Sequence, residues 1–286
     1  MNLLTIKKIP LLREGLGEAM MGLLAIEWLK IKRYRTFWIL VGFFLALLFL
    51  WNYEAMKGNI NIGGGKKNHG MSIISTDYSF PQAWSNIGFW ASMFIVFISI
   101  LVIILTTNEY TYRTNRQNVI DGWTRLQFYH AKVLVVVILS LLSSLYVVLL
   151  GAILSALQSG SFHGFFNEFY HLGYFFLLSL DYLGFALFIA ILIKRSGLAI
   201  GLFLLYAMMI ETILKAVINN YADKPYGNLL PLQASDELLP FPFPQMLKPM
   251  VASIPSLSMP TYVWVAVGWC TLYYIAGRIL LLRNDW

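Results

Sequence analysis

The chain has 286 residues, of which 58% are hydrophobic and only 12% are charged. A soluble domain carries about 25% charged residues, so this composition excludes a water-soluble globular protein and suits a surface that faces lipid. The length fits one membrane domain. The net charge of +7 would suggest a nucleic-acid partner in a soluble protein, but in a membrane protein the positions of the basic residues along the chain are more informative than their sum. We therefore expect a lipid bilayer as the surroundings and no nucleic-acid partner.

Six apolar segments approach the ~20 residues that a helix needs to cross a bilayer. They are Thr36–Asn52, Ile87–Thr107, His130–Leu157, Leu172–Ile193, Gly197–Ile218 and Thr261–Leu282. Each is a continuous apolar run, which favours a helix over an alternating strand. The sequence therefore predicts an all-α fold: a polytopic integral membrane protein whose six transmembrane helices form a single domain over residues 1–286.

The basic residues predict the orientation of these spans. Fifteen of the 21 Lys and Arg residues lie before span one, between spans two and three, between spans four and five, or at the C-terminal end. Because cytoplasmic connections are enriched in Lys and Arg, both termini and the loop 108–129 are predicted to be cytoplasmic. The segments 53–86 and 219–260 are then external loops, and the protein is expected in the cytoplasmic (inner) membrane.

The first 35 residues precede the first span. Within them, Met20–Arg35 mixes leucines and Trp28 with Glu27 and several basic side chains. This pattern is typical of a helix that lies along the membrane surface, and it predicts an interfacial amphipathic helix. The alternative is a cytoplasmic extension of span one, so the limits of that span stay open.

No segment has the pattern of a catalytic, nucleotide, cofactor or metal site. The glycine-rich stretch ending at Lys66 lacks the spacing of a phosphate-binding loop, and Lys67 and Asn68 follow where Lys-Ser or Lys-Thr is needed. His163, Glu168 and His171 could bind zinc, but their aromatic surroundings favour an interfacial turn. We expect a chain that is not itself an enzyme.

Two carboxylates lie within predicted spans, Asp181 in span four and Glu211 in span five. An ionisable residue in the membrane is costly and is a candidate for function, so these two are interpreted as a possible translocation path. They could bind a cation, relay protons or line a wet cavity. The structural alternative for Glu211 is an ion pair with Lys215, four residues further along the helix.

The segment 107–132 is the one long polar stretch on the predicted cytoplasmic side. Charges of both signs alternate along it at Glu109, Arg113, Arg116, Asp121 and Arg125. Alternation of this kind is typical of a solvated docking surface, although an ordinary hydrophilic loop has the same appearance. Gly122 allows the chain to turn in the middle of the segment.

At this loop the chain resembles the ABC-2 permeases, the membrane subunits of type-2 ABC exporters. The matching positions are Glu109, Arg113-Thr114, Gly122-Trp123-Thr124-Arg125 and Lys132. The six spans, the basic helix before span one and the long broken loop before span six also agree. One glycine usual in these permeases is replaced, since Tyr112-Arg113 precedes Thr114.

The resemblance implies that ATP hydrolysis and substrate passage are carried out by different subunits. A separate ABC ATP-binding subunit, with ATP and Mg²⁺ bound to it, would dock on the loop 108–129. The residues implied in coupling to it are Glu109, Arg113, Thr114, Arg116, Asp121, Gly122 and Arg125. Two permease copies, identical or related, would pair, and no cofactor is expected in this chain. The alternative from another class is an ion-coupled secondary transporter or channel that uses Asp181 and Glu211.

Overall fold

The computed structural model describes residues 16–58, 76–114, 120, 123–242 and 256–283. The glycine-rich stretch at 63–70 and most of the apolar segment 245–257 lie outside these ranges. The described residues form helices and connecting turns and contain no strand. The predicted all-α fold is therefore confirmed.

Seven long helices make up the bundle. They are α1 (Leu16–Ile31), α2 (Arg35–Met56), α3 (Gln82–Thr111), α4 (Arg125–Ser159), α5 (Tyr170–Ile193), α6 (Ser196–Tyr221) and α8 (Met259–Arg283). All except α1 are long and apolar enough to cross a membrane, and each predicted span lies inside one of them. The prediction of six transmembrane helices is thus confirmed, with α3 and α4 extending several residues beyond their predicted limits.

The chain breaks between α1 and α2. Ile31 ends α1, and the amide of Tyr34 donates to the Ile31 carbonyl at 2.9 Å, which closes a turn before α2 begins at Arg35. Of the two interpretations left open by the sequence, a separate helix before span one is therefore correct. We call the end of the bundle that carries α1 the basic end, and the opposite end the distal end.

Helix α5 lies at the centre of the bundle, packed against α3, α4, α6 and α8. Apart from a few polar residues such as Asp181, its apolar residues lie on all sides, which is the pattern of a helix enclosed by other helices. By contrast, α6 is mostly exposed and presents Leu198, Leu202 and Leu205 outward. In a membrane protein such leucines contact lipid.

A short segment folds back into the distal end between α6 and α8. It contains a 3₁₀ turn (Tyr226–Leu229) and the short helix α7 (Gln233–Asp236). The indole nitrogen of Trp269 donates to the Leu229 carbonyl at 3.0 Å. Trp269 lies ten residues into α8, or ~15 Å along that helix at 1.5 Å per residue, so the segment enters the bundle instead of covering its end. We call residues 226–241 the re-entrant segment.

Candidate functional site

The two ends of the predicted coupling loop have defined conformations. Helix α3 ends at Thr111, and Arg113 follows in a left-handed conformation with φ 57°. Helix α4 begins after Thr124, whose hydroxyl accepts from the Gln127 amide while the Gln127 side chain accepts from the Thr124 amide. This capping box fixes the start of α4 at the point where the loop returns to the bundle.

Four charged side chains from three helices meet beside these loop ends. Glu27 and Lys30 come from α1, Glu109 from the end of α3, and Lys132 from the second turn of α4. The Lys132 ammonium lies 2.6 Å from Glu27 and also bonds Glu109. The Lys30 ammonium lies 3.1 Å from Glu27 and 3.1 Å from Glu109. We call these four residues the charge cluster.

The charge cluster is buried and formally neutral. Glu27, Glu109 and Lys132 are each less than 5% exposed, and only Lys30 reaches solvent appreciably. Burial disfavours the ionised carboxylate, yet Lys132 and Lys30 outweigh burial and hold the pKa of Glu27 below its ordinary value. Because removal of one partner from a buried ion pair is strongly destabilising, the cluster ties α1, α3 and α4 together as one unit.

The loop ends contact the charge cluster directly. The Thr114 hydroxyl donates to a Glu109 carboxylate oxygen at 3.4 Å. The Lys30 ammonium lies 5.7 Å from the ring centre of Trp123, which is buried where the loop rejoins α4. The distance suits a cation–π contact. Both ends of the loop are therefore joined to α1 through the same four charges.

The other predicted coupling residues have different settings. Arg125 donates to the Leu282 carbonyl at 3.2 Å, near the C-terminal end of α8, where a cation is favourable. Arg113 is exposed. Arg116, Asp121 and Gly122 lie outside the described residues.

Sequence reasoning did not assign Glu27, Lys30 or Trp123 to this site. The sequence assigned Glu27 and Lys30 only to the helix predicted to lie along the membrane surface. The available signal was that Glu27 is an acidic residue among basic ones on that helix. That signal does not identify a partner on α3 or α4.

The two intramembrane carboxylates lie in the distal half, next to the re-entrant segment. Both Asp181 and Glu211 are fully buried. Glu211 follows a single π-helical stretch, Tyr206–Ile210, that interrupts α6. One of its carboxylate oxygens accepts from the amides of Leu232 and Gln233 at 2.7 and 3.2 Å. Glu211 thus caps the N-terminus of α7, where unpaired amides favour a carboxylate.

The ion pair between Glu211 and Lys215, the structural alternative that the sequence left open, is not formed. The Lys215 ammonium instead lies 2.5 Å from Glu237, just after α7. The reason is that Glu211 is directed into the bundle toward the amides of α7, whereas Lys215 lies one turn further toward the distal end. Glu211 and Lys215 therefore both attach the re-entrant segment to α6, at separate points.

Asp181 is brought close to Glu211 and to a third carboxylate, Asp236 of α7. The Tyr182 hydroxyl donates to both oxygens of Asp236 at 2.9 and 3.0 Å. The Asp181 carboxylate lies 3.8 Å from the Cys270 sulfur on one side, and its other oxygen has no hydrogen-bond partner among the described residues. Asp236 was not predicted, because only the fold of the re-entrant segment brings it inside.

Comparison with known protein families gives one match. The profile of the family described as "ABC-2 family transporter protein" matches residues 23–210, which include α2 to α5, the charge cluster and the loop between α3 and α4. No curated protein matches the chain. Because the profile covers well over half of the chain, and because six apolar helices accompany it, the chain belongs to the ABC-2 family of transporter membrane proteins.

Proposed function

We propose that this chain is the membrane subunit of an ATP-driven exporter. A separate ATP-binding subunit, which holds ATP and Mg²⁺, docks on the loop 108–129, and a second permease copy, identical or related, completes the transporter. The chain itself hydrolyses nothing. It lies in the cytoplasmic membrane, with α1 and both termini on the cytoplasmic side, and moves an unidentified substrate outward along a path that passes Asp181 and Glu211.

The charge cluster is the observation that supports this proposal most directly. A permease without a nucleotide site must receive work through a rigid contact with its partner. Force applied to the loop reaches Glu109 through Thr114, and reaches α1 through Lys30 and Trp123. Lys132 then carries it to α4 through buried ion pairs. Three helices therefore move together when the docked subunit moves.

Glu109→Gln tests the coupling role. The variant keeps the side-chain shape but loses charge-assisted bonds to Lys30 and Lys132, each worth about 1.5–3 kcal/mol, so we expect ATPase activity that depends on the permease to fall about tenfold or more. Arg125→Ala is expected to act in the same direction through the start of α4. The measurement is ATP hydrolysis by the complete complex, purified through a tag on this chain and reconstituted in liposomes.

Asp223→Asn is the matched control for Glu109→Gln, because Asp223 is an exposed acid at the distal end. It is expected to hydrolyse ATP at the wild-type rate. Wild-type coupled activity in both Glu109→Gln and Arg125→Ala would contradict the coupling role. Failure of any ATPase subunit to co-purify would contradict the proposed class of transporter.

Cysteine labelling tests the proposed orientation. In a Cys270→Ser background, a membrane-impermeant maleimide added to spheroplasts is expected to label Asp223→Cys but not Arg33→Cys. Both positions are exposed in the structure, at opposite ends of the bundle, so burial does not explain a difference. Permeabilised membranes should label both positions. Labelling of Arg33→Cys in intact spheroplasts would reverse the proposed topology.

The alternative function is an ion-coupled transporter. It is favoured by one observation: Asp181 and Glu211 are fully buried, and each has a carboxylate oxygen without a hydrogen-bond partner in the described structure. The two functions differ in their energy source. Solute uptake by vesicles that contain this chain alone, driven by an ion gradient, would favour the alternative, whereas a requirement for ATP and a second subunit favours the exporter.

A further inference from the structure

The outward face of α1 is apolar. Trp28 and Leu29 are 50% and 57% exposed, and the exposed residues Ala25 and Lys32 lie on the same side. These four positions have the spacing i, i+3, i+4 and i+7, which places them in one stripe along a helix. The amide of Lys32 donates to the Trp28 carbonyl at 2.9 Å, so the helical path continues to Lys32. The exposed stripe is therefore apolar along α1 and ends in a positive charge.

The inward face of α1 is fixed by the charge cluster. Glu27 and Ile31 are buried, and at 100° per residue their mean direction lies about 130° from that of the exposed stripe. Because the buried ion pairs of Glu27 set the rotation of α1, the apolar stripe is held facing away from the bundle. A helix with this arrangement suits a membrane surface, where an apolar face enters the boundary between headgroups and acyl chains.

Three basic residues follow the apolar stripe at the break between α1 and α2. Lys32 and Arg33 form the turn after α1, Arg35 begins α2, and all three are exposed. None of them makes an ion pair with another described residue. Lys and Arg clustered next to a spanning helix attract anionic lipid headgroups, so these three side chains are available for such headgroups. We call residues 25–38 the elbow.

Aromatic contacts order the turn that carries these charges. The indole nitrogen of Trp38, which is 54% exposed, donates to the Lys32 carbonyl at 3.0 Å. The buried ring of Phe37 meets the rings of Trp28 and Trp38 edge-on, with ring centres 6.5 and 5.2 Å away. Tryptophan is enriched at the level of the lipid headgroups. The two half-exposed tryptophans therefore indicate that the basic turn joined to them lies at headgroup depth.

Among the described residues, the exposed charges at the basic end are all positive. They are Lys32, Arg33, Arg35, Arg113, Arg195, Arg278 and Arg283. The acids described at that end, Glu27 and Glu109, are buried in the charge cluster. The distal end differs, because it exposes Asp77, Glu168 and Asp223. A layer of anionic headgroups matches the basic end in charge, and its boundary with the acyl chains matches the apolar stripe of α1.

We propose that the elbow binds anionic phospholipid headgroups in the leaflet at the basic end, and that this binding holds α1 in the position where the charge cluster forms. Lys32, Arg33 and Arg35 attract the headgroups, while Trp28 and Leu29 enter the boundary below them. Lipid binding at the elbow goes beyond the proposed function, because it requires neither an ATPase subunit nor a substrate. Through the charge cluster, the lipid-bound helix is joined to both ends of the loop 108–129.

Photo-crosslinking tests the proposed site on the full-length chain in phosphatidylcholine nanodiscs. The probe is a trace of photoactivatable phosphatidylglycerol, whose headgroup carries a negative charge and no cation. We expect crosslinks on peptides from residues 25–38, located by mass spectrometry. Unlabelled phosphatidylglycerol is expected to compete at these peptides, whereas added phosphatidylcholine and inorganic phosphate are not. The phosphate arm separates a lipid headgroup site from a site for free anions.

Two triple variants separate the elbow from the general positive charge of the basic end. Lys32→Gln/Arg33→Gln/Arg35→Gln is expected to reduce elbow crosslinking about tenfold or more, because each basic side chain near an anionic surface contributes to the attraction. The control Arg195→Gln/Arg278→Gln/Arg283→Gln removes the same number of charges from the same end and is expected to stay within about twofold of wild type. Neither variant removes a side-chain hydrogen bond seen in the described structure.

Hydrogen exchange tests the second half of the proposal, that lipid holds α1. In nanodiscs with about one third phosphatidylglycerol, amides of residues 25–31 are expected to exchange about threefold or more slowly than in pure phosphatidylcholine, where headgroup attraction is absent. The elbow triple variant is expected to exchange equally in both lipids. Equal exchange of the wild-type chain in the two lipids would show that anionic lipid does not hold α1.

Several outcomes would overturn the lipid site. They are absence of crosslinks at the elbow, equal competition by phosphatidylcholine or inorganic phosphate, and equal loss in both triple variants. The competition experiments use the wild-type chain, so they decide the matter even if a variant does not fold. Loss of a co-purifying ATPase subunit from the elbow variant, with crosslinking unchanged, would show that the elbow faces a protein. Elbow crosslinking on a chain that has no ATPase partner would retain the lipid site and overturn the exporter alone.

Discussion

Replacing Lys132 with methionine is expected to destabilise the basic end of the bundle by about 3–5 kcal/mol, the cost of breaking a buried ion pair. The side chain of Lys132 is 4% exposed, and its ammonium contacts both carboxylates of the charge cluster. Without it, the charge cluster keeps one lysine, the partly exposed Lys30, for two buried carboxylates, and so carries a net negative charge. We expect α1 to detach from α3 and α4.

Thermal stability in detergent, followed by size-exclusion chromatography after heating, measures this effect. Lys32→Met is the matched control, because Lys32 is an exposed lysine just after α1, and it is expected to leave the midpoint unchanged. The double variant Glu109→Gln/Lys132→Met restores neutrality and should recover part of the loss. Equal midpoints for Lys132→Met and Lys32→Met would show that the charge cluster does not hold α1 in place.

The effect of Lys132→Met on function follows from the same geometry. If α1 is held by the charge cluster, its release removes one of the three helices that would move with the loop 108–129. Stability and coupling are therefore linked at Lys132, whereas Glu109→Gln keeps an uncharged side chain of similar shape at the end of α3. Comparison of the coupled ATPase activity of the two variants therefore separates the effect of releasing α1 from the effect of removing one charge from the charge cluster.

The sequence was sufficient for the six spans because hydropathy over ~20 residues is a local property. Each predicted segment lies within one helix, and the differences are at the ends, as at Gln82 and Arg125, where polar residues continue a helix beyond its apolar part. Helix ends beyond an apolar window depend on caps such as Thr124, which hydropathy does not register.

The candidate sites were predicted only in part, because they depend on contacts between distant segments. Glu109 and Lys132 were both singled out from the motif. Their ion pairs with Lys30 and Glu27 could not be predicted, because those pairs depend on the packing of α1 against α3 and α4. Asp181 and Glu211 were found because a charge in an apolar run is visible locally. Asp236 was not found, since its sequence surroundings are those of an external loop.

Glu211 illustrates why an ion pair that local spacing allows need not form. A lysine four residues after a glutamate favours an ion pair on an isolated helix by only about 0.2–0.5 kcal/mol. The bonds from the Leu232 and Gln233 amides satisfy one buried and one partly buried donor, and a buried donor left unsatisfied would cost about 1–3 kcal/mol. Tertiary capping therefore outweighs the local pair, and Lys215 is left to bond Glu237.

Glu211→Ala is accordingly expected to release the re-entrant segment from α6. The substitution leaves the amides of Leu232 and Gln233 without an acceptor, at a cost of about 1–3 kcal/mol for the buried Leu232 amide, and opens a space beside the π-helical stretch of α6. We expect faster amide hydrogen exchange over residues 226–241, with protection at Leu232 and Gln233 reduced about tenfold or more. Glu211→Gln keeps an acceptor oxygen and should lose far less protection.

Hydrogen exchange of the chain in nanodiscs, read by mass spectrometry, makes this comparison. Thr212→Ala, at the exposed adjacent position, is the control and should exchange as wild type does. If Glu211→Ala and Glu211→Gln lost protection equally, the charge of Glu211, and not its capping of α7, would hold the segment. If neither lost protection, the bonds from Trp269 and Lys215 would suffice, and Glu211 would be free to serve the translocation path alone.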